Sequence, residues 1–320
     1  MQVFNINITW DCAGVGYNLT QALNKYTDIK GRQCVGTRAY QCYPYDIFIY
    51  GLEPLKKALQ ESDILHFNHL DWNTGMQFAN GSKMVWKDHI EGKKLVYHNH
   101  GGHLPGREEI YLYKEFMDGK MHDKYTGHAK VATCSPNYSE IYRKAQFMPN
   151  IIPQNSPLYT PKPKDWSGTI KVCHSPSVSQ FKGSDVVGEV LKELMAQKYD
   201  IQYEMIVGCP HEVCMQRKSE CHIGIDSMVD LHPNISTFEN LSLGLISMTN
   251  LNEKATEALD GGDKFPSVKV GYSTLYKKLK DLLDNKDELQ AKAEASRKWI
   301  DEYYTDEKLI KKWVEFYGSC

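Results

Sequence analysis

The sequence carries no strong charge of either sign, no long apolar run and no low-complexity tract. Its 38 lysines and arginines nearly balance 40 aspartates and glutamates, leaving a net charge of −2. That balance sets up no field that would draw the chain onto nucleic acid or anionic lipid, and the N-terminal half is only slightly basic. No uninterrupted apolar stretch reaches the roughly 20 residues that a membrane-spanning helix needs. Nine cysteines in 320 residues fall well short of the density of disulfide-stapled secreted scaffolds. The opening MQVFNINITW has neither the basic nor the apolar region of a secretory signal, so a soluble protein of a reducing cytoplasm is expected. Also missing are a GxSxG elbow, a GxxxxGK[ST] loop and an HExxH pair, which sets aside serine-hydrolase, P-loop kinase and zincin chemistry. What is present, 41% hydrophobic and 24% charged residues over 320 positions, suits a globular chain long enough for two domains.

Residues 2–9 alternate as a strand. Gly14 and Gly16 then make a turn, and Leu19, Ala22, Leu23 and Tyr26 recur at helical spacing. This strand–turn–helix unit opens a parallel α/β sheet, although the third glycine of a dinucleotide fingerprint is missing. The two glycines either contact a phosphate or only permit the turn. YDIFIYG, DILHFNH, KKLVYHNHGGH and HAKVATCS read as further strands, and Pro136 to Ala145 as a helix. From Phe147 to Trp166 five prolines (Pro149, Pro153, Pro157, Pro161 and Pro163) remove amide donors and fix φ, so a stiff, exposed connector is expected with the domain boundary near residue 153. Beyond it GTIKVCHS, YEMIVGCP and CHIGIDSM read as strands, and DVVGEVLKELMAQK, HEVCMQRKSE and ISTFENLSLG as helices. From Leu275 onward the chain reads as mostly helical. The expected organisation is a Rossmann-like domain over 1–152, a second over 153–302 and a terminal helix over 303–320. Two such doubly wound sheets place ligands at the carboxyl ends of their strands.

Those strand ends hold the candidate chemistry. Lys182 and Gly183 lie just before a helix near Asp185, and a lysine at a helix N-terminus completes an anion site, or is simply a solvated loop residue. Ser236-x-x-Glu239 matches a capping box; alternatively, the Glu239 carboxylate accepts the two hydroxyls of a ribose. On the first reading Glu239→Gln leaves donor affinity intact, and on the second it weakens affinity with little change in stability. Most of the 12 histidines fall in the N-terminal half, with His66, His69, His98, His100 and His103 in two strand-end loops. Without carboxylates or cysteines to complete a metal site, they better suit hydrogen bonding or proton transfer. Cys209, His211, Cys214, Cys221 and His222 follow no standard zinc spacing and read as core.

Taken in order, KKLVYHNHGG, MPNIIP, HSPSVSQFKGS and IDSMVDLHPNISTFENLSLG resemble segments of the GT-B-fold glycosyltransferases of family 4. The resemblance implies metal-independent transfer of a sugar, with retention, from a nucleotide-diphospho-sugar (UDP foremost) to an acceptor hydroxyl, without a further cofactor. It implies that Lys182 binds the diphosphate and Glu239 the ribose, with Asn240 and Leu241 presenting helix N-terminal amides to the phosphates. His100 contacts the transferred sugar, Gly14 and Gly16 line the cleft, and His174 opens the phosphate segment. Met205 to Pro210, with Gly208, border the base, and the aspartate at Asp226 has a structural role. The terminal helix crosses back onto the N-terminal domain. Two positions depart from the pattern. Ser177 and Ser179 stand where a basic partner of the lysine often lies, a role Arg107 or Arg217 could fill, and Leu231 replaces the first acid of an E-x7-E pair. The acceptor is a glycan, a lipid-linked sugar, a protein or a hydroxymethylated DNA base. The competing readings are a catalytically impaired nucleotide-sugar-binding protein and a sugar-nucleotide epimerase.

Overall fold

A computed structural model describes residues 1–7, 11–49, 52–68, 75–77, 83–85, 89, 91–100, 129–137 and 145–320. The chain divides into two compact units, one of Met1–Ile151 with Asp306–Cys320 and one of Ile152–Thr305.

In the first unit the strands are β1 (Gln2–Asn7), β2 (Lys30–Val35), β3 (Ile47–Phe48), β4 (Ile64–Asn68), β5 (Gly75–Gln77), β6 (Lys83–Val85), β7 (Lys94–Asn99), β8 (Lys130–Thr133) and β9 (Ala145–Phe147). β5 and β6 pair antiparallel. The others form one sheet in the order β3-β2-β1-β4-β7-β8-β9, every pairing parallel. A parallel sheet is covered on both faces, which is why β1 and β4 are short apolar runs and Phe4, Ile6, Leu65 and Phe67 have no exposed surface. The YDIFIYG run is strand only at Ile47–Phe48, at the sheet edge, and Phe48 is exposed. The helix expected up to Ala145 gives way there to β9; its 138–144 portion is outside the described residues. Helix Asp306–Gly318 packs into this unit through Leu309, Ile310, Trp313 and Phe316, all buried, and the Trp313 indole donates to the Pro149 carbonyl at 3.0 Å.

In the second unit β10 (Ile170–His174), β11 (Ile201–Met205), β12 (Ile223–Ile225), β13 (Ile246–Thr249) and β14 (Val268–Lys269) form a sheet in the order β11-β10-β12-β13-β14, again parallel throughout. Val172, Ile223 and Met248 on the strands pack with Val187 and Leu191 of helix Ser184–Ala196 and Leu279 of helix Leu275–Asp284. The proline-rich segment differs from expectation: Ile152, Gln154 and Tyr159 are buried. Prolines lack amide donors but leave carbonyls to be satisfied. Arg297, on helix Leu289–Tyr303, collects them, donating to the carbonyls of Tyr159 (2.9 Å), Gln154 (3.4 Å) and also Ser242 (2.8 Å).

Candidate functional site

The loop after β10 carries Lys182 and Gly183. Gly183 has φ +72° and caps helix Ser184–Ala196, and a Cβ there would lie 2.9 Å from the Met228 Cβ. Only glycine accepts both the left-handed backbone and that approach. The Lys182 carbonyl accepts the Met228 amide at 3.0 Å, which ties this loop to the one after β12. The Lys182 ammonium lies 2.5 Å from Asp230 Oδ2 and 4.0 Å from Asp226 Oδ1. Burial pushes the Asp230 carboxyl up, but Lys182 with His232 and Asn234 outweighs it and holds Asp230 below the usual carboxylate range. Asp226 is structural in its contacts: its Oδ2 accepts the Thr237 hydroxyl (2.6 Å) and the Asn234 amide (3.3 Å), anchoring the start of helix Ile235–Ser242. His174 is buried, one ring nitrogen 2.9 Å from the Ile225 carbonyl and the other 2.7 Å from Ser184 Oγ. Burial lowers its pKa. It therefore joins strands and helix, with both ring nitrogens engaged inside the protein.

Helix Ile235–Ser242 starts two residues earlier than a capping box on Ser236 and Glu239 allows. Its N-cap is Asn234, so Ser236 lies within the first turn and the Glu239 side chain is not directed back to a cap amide. Instead Glu239 Oε2 accepts from Lys218 Nζ at 2.8 Å and Oε1 meets His211 Nε2 at 2.8 Å. The Lys218 side chain has 0% exposure, and its ammonium also reaches Ser236 Oγ at 3.0 Å. Burial pushes the Glu239 carboxyl up, yet Lys218 and His211 overcome this and bring it down to about 2. Lys218 escaped the sequence reading because a lysine in HEVCMQRKSE looks like a solvated helix residue. Its neighbour Arg217 pairs with Glu204 at 2.7 Å. Asn240 and Leu241 are the sixth and seventh helix residues and both are buried. Amides at those positions close i→i−4 bonds, so the free first-turn amides belong to Ile235 and Ser236 instead. This corrects the expected phosphate contacts. Ser236 Oγ sits 3.2 Å from Ser175 Oγ, joining the β10 loop to that first turn. Gly208 is exposed in the turn after β11, at φ +64°, flanked by exposed Met205 and Val207. Leu231 is 47% exposed. The cysteine–histidine group is dispersed: His211 serves Glu239, while His222 accepts the Lys171 amide and faces the Asp165 carbonyl.

In the first unit, the turn at Gly14 (φ +70°) leads into helix Val15–Tyr26. Asp11 already fills its anion position, accepting the Gly16 amide at 2.9 Å and the Tyr17 amide at 2.7 Å. Gly16 therefore spends its amide on an internal carboxylate. His100 Nε2 lies 2.6 Å from Asn68 Oδ1, and its ring packs 3.9 Å from that of His98. His98 and His66 pack in turn on Trp313, and His66 Nδ1 meets the Tyr317 hydroxyl at 2.6 Å. Burial pushes the His66 pKa down to about 3. His69, His103 and Arg107 are outside the described residues. Among the described residues no three His, Cys, Asp or Glu side chains gather as a metal site, and no helix is long and apolar enough to cross a membrane.

Two units built on parallel α/β sheets, with the last helix packed on the first unit, have the GT-B fold. Among solved structures, the chain is similar to HepE of Anabaena in complex with UDP-glucose (13% identity, 100% of each chain covered, TM-score 0.68). It is also similar to an alpha-glucosyltransferase in complex with UDP and a 13-mer DNA (9% identity, 98% of each chain, TM-score 0.69). A third is the sucrose-phosphate synthase of Thermosynechococcus elongatus (10% identity, 100% of this chain and 98% of the other, TM-score 0.67). No protein-family model and no curated protein matches the sequence.

Proposed function

We propose that the chain is a glycosyltransferase that moves a sugar from a nucleotide-diphospho-sugar, with UDP as the expected nucleotide, to an acceptor hydroxyl. The observation that supports this reading is the placement of Lys182 and Glu239 in the segments that follow β10 and β12, two adjoining parallel strands of the second unit. One is an ammonium at a helix start and the other a carboxylate held ionised, in a fold whose solved examples hold UDP and UDP-glucose. In this reading Lys182 exchanges Asp230 for the diphosphate, an exchange of one anion for another that suits a helix N-terminus. Glu239 accepts the ribose hydroxyls, the free amides of Ile235 and Ser236 face the phosphates, and exposed Met205 and Val207 border the base. His100 hydrogen-bonds a substrate hydroxyl. The bond from the anomeric carbon to the donor phosphate breaks, the acceptor oxygen bonds that carbon on the same face, and its proton passes to the leaving phosphate. We assign this transfer as retaining and independent of metal. The near-zero net charge supports a glycan or lipid-linked acceptor over DNA.

Incubation with UDP-, GDP-, ADP- and CDP-glucose, followed by thermal shift and by release of free nucleotide, tests the reading. A shift of the melting temperature with one donor and its slow hydrolysis are expected. Binding with no turnover in the presence of any acceptor would leave a binding protein, and no binding at all would sink the proposal.

A further inference from the structure

The Lys218 ammonium is fully buried, and its acceptors are Glu239 Oε2 (2.8 Å), Ser236 Oγ (3.0 Å) and the Ser236 carbonyl (3.4 Å). Lysine is almost never buried to this degree unless paired. A buried ion pair is also a poor fastener: apolar residues of similar volume commonly hold a fold as well or better. An apolar residue cannot, however, keep a neighbouring carboxylate ionised and aimed. His211 and Lys218 begin and nearly end the same helix, His211–Ser219. Seven residues make two turns, so both project from one face towards Glu239. An ionised carboxylate offers about four acceptor sites. Lys218 uses one on Oε2, and His211 meets one on Oε1. The two partners differ in access, since the Lys218 side chain has no exposed surface while that of His211 is 13% exposed.

We propose that Lys218 is a positioning residue for the nucleotide site, fixing Glu239 as an ionised acceptor of the ribose hydroxyls, and that His211 is the displaceable partner that yields Oε1 when ribose arrives. This rests on the reading of Glu239 as the ribose acceptor. The titratable groups around Glu239 are Lys218, His211 and Cys214 from helix His211–Ser219 and Tyr159 from the proline-rich segment. Lys218 is the permanent cation among them. Its removal leaves a desolvated carboxyl that takes up a proton near neutral pH and turns from a double acceptor into a donor.

Calorimetric titration with UDP and 2′-deoxy-UDP across pH 5 to 8 tests this on wild type, Lys218→Met, Lys218→Met/Glu239→Gln and His211→Ala. If wild type binds GDP, ADP or CDP instead, that nucleotide and its 2′-deoxy form are used. Wild type is expected to prefer the ribonucleotide by about tenfold at every pH. In Lys218→Met that preference shrinks to about twofold at pH 5 and recovers towards pH 8 as Glu239 ionises. The double variant shows no preference at any pH. His211→Ala keeps the preference in full. A Lys218→Met protein with an undiminished, pH-independent preference overturns the inference and leaves the donor-binding proposal standing. A loss in His211→Ala equal to that in Lys218→Met overturns the displaceable role. Wild type that binds nucleotide without preferring ribose overturns the reading of Glu239, and the inference with it. Wild type that binds none of the four diphosphates overturns the proposed function itself. Should Lys218→Met fail to fold, Lys218→Gln keeps a neutral donor beside Oε2 and carries the same comparison.

Discussion

Glu239 and Lys182 each hold an internal partner, and replacing either disturbs more than a ligand contact. Glu239→Gln strands the Lys218 ammonium in the core, and removing one member of a buried pair costs about 3–5 kcal/mol. The melting temperature therefore falls along with donor affinity, where the sequence alone leads one to expect an almost unchanged fold. Lys182→Ala removes a charge-assisted contact, and UDP binding by calorimetry weakens roughly tenfold to a hundredfold. Acid works on the same carboxylate. Glu239 titrates at about 2 against an ordinary 4.5, so its stabilising contribution is complete above pH 4.5 and is lost as pH falls through about 2. The shift corresponds to something on the order of 3 kcal/mol. Acid unfolding followed by circular dichroism is expected to show this loss in wild type and not in Lys218→Met/Glu239→Gln. The sequence draws attention to Lys182 through the glycine that follows it, and to Glu239 through its spacing from Ser236. It draws none to Lys218, since its burial depends on Glu239, which belongs to a different element. The capping-box alternative for Ser236 and Glu239 fails for a similar reason: Asp226, just after β12, supplies the anchor that a local cap usually supplies.

Between elements, one close approach fixes how a helix lies on a strand. A Cβ at Gly224, in the middle of β12, would lie 2.4 Å from the Asn240 amide. Gly224→Ala must therefore displace the Asn240 side chain or lift helix Ile235–Ser242 off the sheet, and overpacking of this kind costs about 1–3 kcal/mol. Chemical denaturation should register that loss, while a neutral result would mean that Asn240 can turn aside. The N-terminus of helix Val15–Tyr26 presents the opposite electrostatic case to Glu239. Burial raises Asp11 from 3.8 to about 6, against the lowering effect of the Gly16 and Tyr17 amides. The folded state therefore favours its neutral form. Its contribution is fully present below pH 3.8 and is lost as pH rises through about 6. Between pH 7 and 5 the melting temperature of Asp11→Asn is expected to rise less than that of wild type. Strands such as β4, β7 and β10 were readable as short apolar runs bounded by turns, whereas β2, the mixed run KGRQCV, and β9 were missed. The burial of the proline-rich segment was not, because the arginine that satisfies its carbonyls lies 138 residues beyond Tyr159.

At the scale of the molecule, the two units differ in how the chain enters them. The second is a single stretch, Ile152–Thr305, and the first is assembled from Met1–Ile151 and Asp306–Cys320. A fragment spanning 152–305 has its own sheet and core and is expected to unfold cooperatively in calorimetry. A fragment of 1–151 lacks Trp313, Phe316 and Tyr317, all but buried in the intact unit. Loss of even one such aromatic typically costs 3–5 kcal/mol, so that fragment is expected to show no cooperative transition. The ribosome delivers these pieces in an awkward order. Domains ordinarily fold in the sequence in which they emerge, but here the face of the first sheet holding His66 and His98 stays uncovered until the whole second unit has been translated. The second unit is then finished first, and the nascent first unit must wait, partly open to chaperones, for the final helix to reach it.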